Sequence, residues 1–116
     1  MKIYHFRGEI MNRKVREEVL ERSGGCCEIC GNHAAELHHI TKRKGEENKH
    51  SCIMLCFEHH RGTNGVHGKN GSKLDLALKL DLQDRYKLMG YTEEEIREKM
   101  GGKFYVEIHN WGRVTR

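Results

Sequence analysis

Residues 26–60 read CCEICGNHAAELHHITKRKGEENKHSCIMLCFEHH and hold all five cysteines and six of the nine histidines of this 116-residue chain. Two close pairs stand out, Cys27-x-x-Cys30 and Cys56-x-x-His59, with 25 residues between them. Two such pairs are a common way for one chain to build a tetrahedral metal site. We therefore predict a zinc ion held by these four side chains. Because all four ligands are protein atoms, this zinc should stabilise the fold and take no part in a reaction.

The neighbours of these residues leave the ligand set open at two positions. Cys26 is an alternative to Cys27, and His60 is an alternative to His59. Cys52 lies in a short apolar run, where we expect it to pack as a small hydrophobic side chain.

The composition describes a chain with a thin apolar core. Hydrophobic residues make up 36% and charged residues 33%, and the mean hydropathy is −0.82. The odd number of cysteines and the absence of an apolar leader indicate reduced thiols and a cytoplasmic protein. No run approaches the ~20 apolar residues of a membrane span, so no membrane partner is expected. The net charge of +4 permits a polyanionic partner without requiring one.

Apolar periodicity and capping residues predict the flanking helices. A helix at about residues 12–23 should begin at Asn12 and end at the glycines that follow it. Helices are also expected within residues 73–100, where Thr92 and Glu95 form a capping box and the leucines before them share a face with Tyr86.

The remaining segments read as strands and loops. Two short strands, at residues 35–40 and 53–55, should be joined by a long loop. The glycine-rich residues 61–72 should form a loop or a frayed helix end, and residues 104–108 a terminal strand. No repeat or linker divides the chain, which predicts a single domain over residues 1–116.

Two adjacent histidines lie between the metal-binding pairs, in the stretch Glu36-Leu37-His38-His39-Ile40. Neighbouring side chains of a strand point to opposite faces, so these two histidines should perform different tasks. One can bind a metal ion while the other transfers a proton.

The order of these motifs resembles the HNH endonuclease family, and most closely its phage-type branch with a structural zinc. The similarity covers roughly residues 27–67, about a third of the chain. It implies an α+β fold built around a ββα-metal (His-Me) finger. The core of the finger would span about residues 26–68, flanked by the N-terminal helix at 12–23 and the C-terminal helices at 73–100.

The resemblance also assigns roles by position. His39 would be the general base, His38 and His60 would bind a catalytic ion, and Asn64, one helical turn later, could reach the same ion. This ion would be Mn²⁺ or Mg²⁺, and imidazole ligands favour Mn²⁺. His67 is a weaker candidate, which we expect to be solvated as most loop histidines are.

The sequence departs from the family at the residue that orients the general base. The family places an asparagine about five residues before the second metal-binding pair, and Ser51 occupies that position here. Asn48 lies three residues earlier. Asn48, Ser51 or a backbone oxygen could therefore hold His39.

Basic residues flank the expected site on both sides and predict contacts to a DNA phosphate backbone, from Arg43, Lys44, Arg61 and Lys69. The implied activity is hydrolysis of phosphodiester bonds in DNA by a monomer or weak homodimer that nicks one strand with little sequence preference. The alternative is a non-catalytic zinc-ribbon module that binds nucleic acid. The histidines beside the metal-binding pairs favour the enzyme, since a binding module has no use for them.

Overall fold

The computed structural model describes residues 4–6, 9–33, 36–41 and 45–105. This part of the chain forms two two-stranded antiparallel sheets and four helices. The elements are, in chain order, β1 (Tyr4–Phe6), β2 (Glu9–Met11), α1 (Arg13–Ser23), β3 (Glu36–His39), β4 (Cys52–Leu55), α2 (Phe57–Arg61), α3 (Ser72–Leu88) and α4 (Glu93–Lys99). The predicted α+β class is confirmed.

Helix α1 begins and ends where its capping residues predict. The side chain of Asn12 accepts hydrogen bonds from the amides of Lys14 and Val15, which satisfies two backbone donors of the first turn. Gly24 ends the helix at a φ of 66°, a conformation that glycine adopts without steric cost. Val15 and Val19, four residues apart, are buried on the face that packs against β4.

Strands β3 and β4 form an antiparallel hairpin whose register positions the histidines. His39 pairs with Cys52, and His38 pairs with Ile53. Directly opposed residues share a face of the sheet, and neighbours along one strand alternate between faces. His39 therefore lies on the same face as Cys52, while His38 points to the opposite face. The prediction of two strands joined by a long loop is confirmed.

Helices α3 and α4 form a second buried cluster with Ile40, the residue that follows β3. Leu82 and Tyr86 of α3 are fully buried, and Leu78 packs against the same cluster, in agreement with the predicted face. Helix α4 begins with the predicted capping box between Thr92 and Glu95. Because Ile40 belongs to this cluster, α3 and α4 pack against the end of the β3–β4 hairpin.

The chain beyond α4 is tied to α3 by a buried glutamine. Gln83 donates from Nε2 to the carbonyl of Tyr105 and accepts from the Tyr105 amide at Oε1, at 2.7 and 2.8 Å. Residues 104 and 105 are not in a strand, and residues 106–108 of the predicted terminal strand lie outside the described residues. Over the described ranges, every helix is too short or too polar to cross a bilayer. The assignment of one domain over residues 1–116 stays a prediction.

Candidate metal centres

The four predicted zinc ligands come from two segments, the turn after α1 and the start of α2. Cys27 and Cys30 lie in the turn after α1, Cys56 is the N-cap of α2, and His59 lies within that helix. One ligand atom from each side chain lies within 4.8 Å of the other three. The four residues predicted from the sequence spacing therefore lie close together in the structure.

The spacing of these atoms matches what a tetrahedral zinc ion requires. With Zn–S bonds of about 2.3 Å and Zn–N bonds of about 2.0 Å, two thiolates lie about 3.8 Å apart and a thiolate and an imidazole nitrogen about 3.5 Å apart. The Sγ atoms of Cys30 and Cys56 are 3.8 Å apart. Nδ1 of His59 is 3.6 Å from Sγ of Cys27 and 3.3 Å from Sγ of Cys56. The arrangement is compatible with a zinc site.

The thiols of this cluster differ in how readily they ionise. Burial opposes ionisation of Cys27, but hydrogen bonds from the backbone at Cys30, Cys56 and Ile29 outweigh it and lower its pKa to about 6. At Cys30, a backbone hydrogen bond at Asn32 lowers the pKa, but burial and the neighbouring thiols Cys27 and Cys56 outweigh it, so its pKa is raised. Cys27 is therefore the thiol of this cluster that ionises most readily. Several thiolates at such short distances repel one another unless a cation lies between them.

The two alternative ligands lie outside this cluster. Cys26 is exposed, and its Sγ lies 3.9 Å from the carbonyl oxygen of Gly24. His60 is buried and belongs to a different group of side chains. Cys52 is a buried residue of β4, as predicted.

Three histidines form a second cluster on the face of the hairpin opposite to His39. Ligand atoms of His38, His60 and His67 all lie within 4.8 Å of one another. The ring centroid of His38 is 5.3 Å from that of His60 and 5.2 Å from that of His67. His38 and His60 are buried, whereas His67 is exposed, so the cluster opens to solvent on one side. Three convergent imidazoles can hold a divalent transition metal and leave positions for other ligands.

Glu36 fixes the orientation of His60. A carboxylate oxygen of Glu36 is in hydrogen-bond contact with Nδ1 of His60, which leaves Nε2 as the nitrogen available to a cation. Arg61 donates from Nε to the same carboxylate, at 3.1 and 3.3 Å from its two oxygens. The hydrogen bond from His60, followed by that from Arg61, lowers the pKa of Glu36, although burial opposes the shift. The carboxylate is therefore ionised at neutral pH.

His67 is placed by the glycine-rich loop, which folds back along α2. The amides of Val66 and His67 donate to the carbonyls of His59 and His60, both at 2.9 Å. A Cβ atom at Gly65 would lie 2.5 Å from the carbonyl oxygen of Glu58, so only glycine permits this approach. His67 is exposed, as expected of a loop histidine, and these backbone hydrogen bonds hold it beside His38 and His60.

Asn64 was expected one helical turn after His60, but it lies outside the helix that carries His60. Helix α2 ends at Arg61, and the amide of Gly62 closes it with hydrogen bonds to the carbonyls of Phe57 and Glu58. Asn64 lies exposed in the turn beyond. Asn64 and His60 are therefore not related by one turn of a common helix. The third histidine of the cluster is His67.

His39 is held by a residue that the sequence reading did not single out. Nε2 of His39 lies 2.7 Å from Oε2 of Glu47. Oε1 of the same carboxylate accepts a hydrogen bond from the backbone amide of Asn12 at 3.2 Å, which connects Glu47 to the start of α1. The side chains of His39 and Glu47 are 15% and 26% exposed. The pair is thus screened from bulk water without being closed to it.

The two residues proposed to orient His39 make other contacts in the described part of the chain. The side chain of Asn48 accepts from the amides of His50 and Ser51 and donates to the hydroxyl of Tyr86 at 3.0 Å. The hydroxyl of Ser51 donates to the carbonyl of Glu46 at 2.7 Å. These bonds shape the loop between the strands. The contact to His39 comes from Glu47.

The basic residues are distributed unevenly around the histidines. Arg61 is ion-paired with Glu36, and Lys69 is exposed in the loop after α2. Arg43 and Lys44 lie outside the described residues.

Searches with protein-family models, among curated proteins and among solved structures each returned no match. The residue types and geometry of these clusters are therefore the observations from which a function can be inferred.

Proposed function

We propose that this protein is a divalent-metal-dependent DNA endonuclease of the HNH type, in which β3, β4 and α2 form a ββα-metal finger. It hydrolyses phosphodiester bonds, nicking one strand with little sequence specificity. The observation that carries the proposal is the division of labour between two adjacent residues. His38 belongs to a three-histidine cluster, whereas His39 points to the other face and is held by a carboxylate.

The cysteine-rich cluster has a structural role in this proposal. A zinc ion bound by Cys27, Cys30, Cys56 and His59 has no open coordination position for water or substrate. It connects the turn after α1 to the start of α2 and so fixes the helix that carries His60. A zinc of this kind contributes directly to folding.

The three-histidine cluster is the proposed site of the catalytic ion, Mn²⁺ or Mg²⁺. When bound, such an ion neutralises charge on the phosphate and on the departing 3′ oxygen. His38, His60 and His67 offer three imidazole nitrogens, and nitrogen ligands suit Mn²⁺ better than Mg²⁺. Glu36 keeps His60 in the orientation that presents Nε2 to the ion.

His39 is the proposed general base. In this role its Nε2–H donates to the carboxylate of Glu47, and Nδ1 is then the nitrogen that accepts a proton. Nδ1 removes a proton from a water molecule as the water oxygen bonds to phosphorus and the bond to the 3′ oxygen breaks. The negative charge of Glu47 stabilises the imidazolium that results, in the way that a buried carboxylate supports a histidine base elsewhere.

DNA would be held by its phosphates beside this centre. Arg61 is the last residue of α2, Lys69 lies in the loop after it, and Arg43 and Lys44 lie in the sequence between the two strands. Arg61 can bridge Glu36 and a phosphate because its guanidinium carries five N–H donors. One centre of this kind cuts one strand at each encounter, whether the protein is a monomer or a weak homodimer.

The test is a plasmid-nicking assay with the purified full-length protein in Mn²⁺, Mg²⁺ or EDTA. The wild type should convert supercoiled plasmid to open circles only when a divalent ion is present. His39→Ala should lower the rate by on the order of 10²- to 10⁴-fold while the zinc of the cysteine-rich cluster is retained, because His39 is not one of its ligands.

The matched control is His33→Ala, which removes an exposed histidine outside both the cysteine-rich cluster and the three-histidine cluster and should cut like the wild type. Normal cutting by His39→Ala would show that the base is assigned wrongly. DNA binding without cutting in any metal would refute the nuclease and favour the zinc-ribbon module.

A further inference from the structure

A third group of metal-binding atoms surrounds His39 and shares no residue with the other two clusters. A ring nitrogen of His39, a carboxylate oxygen of Glu47 and Sγ of Cys52 all lie within 4.8 Å of one another, and the nitrogen in contact with Glu47 is Nε2. The hairpin creates this group, because His39 and Cys52 are directly opposed across the two strands and share a face. Glu47 is brought in by the loop between the strands and anchored by the amide of Asn12.

The donor set selects a particular class of cation. A thiol sulfur, an imidazole nitrogen and a carboxylate oxygen together suit Zn²⁺ or Cd²⁺, whereas Mg²⁺ prefers oxygen ligands alone. Cys52 is 1% exposed and closes the inner side of the group, while the partly exposed His39 and Glu47 leave an entry from solvent. The fourth position is open to water.

We propose that His39, Glu47 and Cys52 form an inhibitory site for a thiophilic divalent cation such as Zn²⁺. On binding, the thiol proton of Cys52 passes to solvent, while His39 loses its Nε2 proton and takes one up at Nδ1, so that a neutral ring coordinates the cation through Nε2. The 2.7 Å separation of Nε2 and Oε2 widens to the roughly 3.4 Å that two ligands of one zinc ion require.

The inhibitory consequence rests on the proposed function of His39. In the free protein the carboxylate of Glu47 faces Nε2, and Nδ1 is the nitrogen without a proton. A neutral imidazole that binds a cation through Nε2 carries its proton on Nδ1, so Nδ1 has no lone pair left to accept a proton from water. Excess zinc should therefore stop cleavage by occupying this site.

Occupancy of the site can be tested without any activity measurement, by ¹¹³Cd NMR of the full-length protein titrated with ¹¹³Cd²⁺. The cadmium resonance moves downfield with each thiolate ligand, so sites with three, one and no thiolates are resolved. We expect three resonances in the wild type. Cys52→Ser should remove only the one of intermediate shift, and the two that persist would show that the variant is folded.

The matched control is Cys26→Ser, which removes an exposed thiol outside all three groups and should keep every resonance. Absence of the resonance of intermediate shift from the wild type, or its persistence in Cys52→Ser, would overturn the proposal. The same variants in the nicking assay at fixed Mn²⁺ test the consequence. Cys52→Ser should need at least tenfold more Zn²⁺ for half-inhibition, and equal inhibition of both proteins would refute the inhibitory role. If no nicking occurs at all, the NMR result still decides whether the site exists.

Discussion

Replacing Cys56 by serine should weaken zinc binding and lower the stability of the whole domain. Sγ of Cys56 lies 3.8 Å from Sγ of Cys30 and 3.3 Å from Nδ1 of His59, and the residue is 6% exposed. Water can therefore replace the thiolate only poorly. Serine is a preferred N-cap residue, so the start of α2 should not itself be weakened.

The expected magnitude follows from the number of ligands. Structural zinc contributes about 10–16 kcal/mol to small zinc-binding domains, so one ligand of four corresponds to about 3 kcal/mol and a zinc affinity lower by on the order of 100-fold. A domain of this size has only about 5–15 kcal/mol of net stability. At about 4 °C for each kcal/mol, the melting temperature should fall by about 12 °C.

The assay is thermal unfolding followed by circular dichroism at a buffered free zinc concentration, with zinc content measured by native mass spectrometry. Cys26→Ser is the matched control and should melt like the wild type with one tightly bound zinc. In excess chelator the difference between Cys56→Ser and the wild type should disappear. A Cys56→Ser variant that retains its zinc and melts within about 2 °C of the wild type would refute the four-ligand assignment.

Two further substitutions test the loop between β3 and β4. Tyr86→Phe removes the buried hydroxyl that accepts from Nδ2 of Asn48 at 3.0 Å. The half-buried amide of Asn48 then loses its partner, so the free energy of unfolding in denaturant should fall by about 1 kcal/mol; an unchanged midpoint would contradict this. Burial, followed by the charges of Arg85 and Lys49, lowers the pKa of His50. Folding therefore favours the neutral ring, and stability should fall as the pH drops from about 6.5 through the lowered folded-state pKa. His50→Gln should flatten that fall at saturating zinc, and parallel stability curves would count against it.

Local signals were sufficient for the elements that end in capping residues. Asn12 and Gly24 predict α1 because the hydrogen bonds that begin and end a helix involve only neighbouring residues. The same is true of Thr92 and Glu95 at α4. The zinc ligands were also predictable, since each pair is close in sequence and its chemistry is specific.

Tertiary contacts place two residues of the candidate sites: His67, which the sequence offered only as a weaker candidate, and Glu47, which it did not single out. His67 reaches His38 and His60 through backbone hydrogen bonds between its loop and α2, which involve no distinctive side chain. Glu47 reaches His39 from a loop, and its other oxygen is held by the amide of Asn12, 35 residues away. Asn48 has the residue type expected for the orienting role, but a turn within its own loop occupies its side chain.

The shortness of α2 limits which insertions, deletions and substitutions this segment can accept. The helix has five residues, too few to be stable alone, and consecutive positions within it, His59 and His60, belong to different metal-binding groups. Each residue advances a helix by about 100°, so a single insertion or deletion would turn one histidine away from its partners. Substitutions at the exposed Phe57 leave that angle unchanged. Both groups therefore depend on the length of this segment as well as on the identity of its histidines.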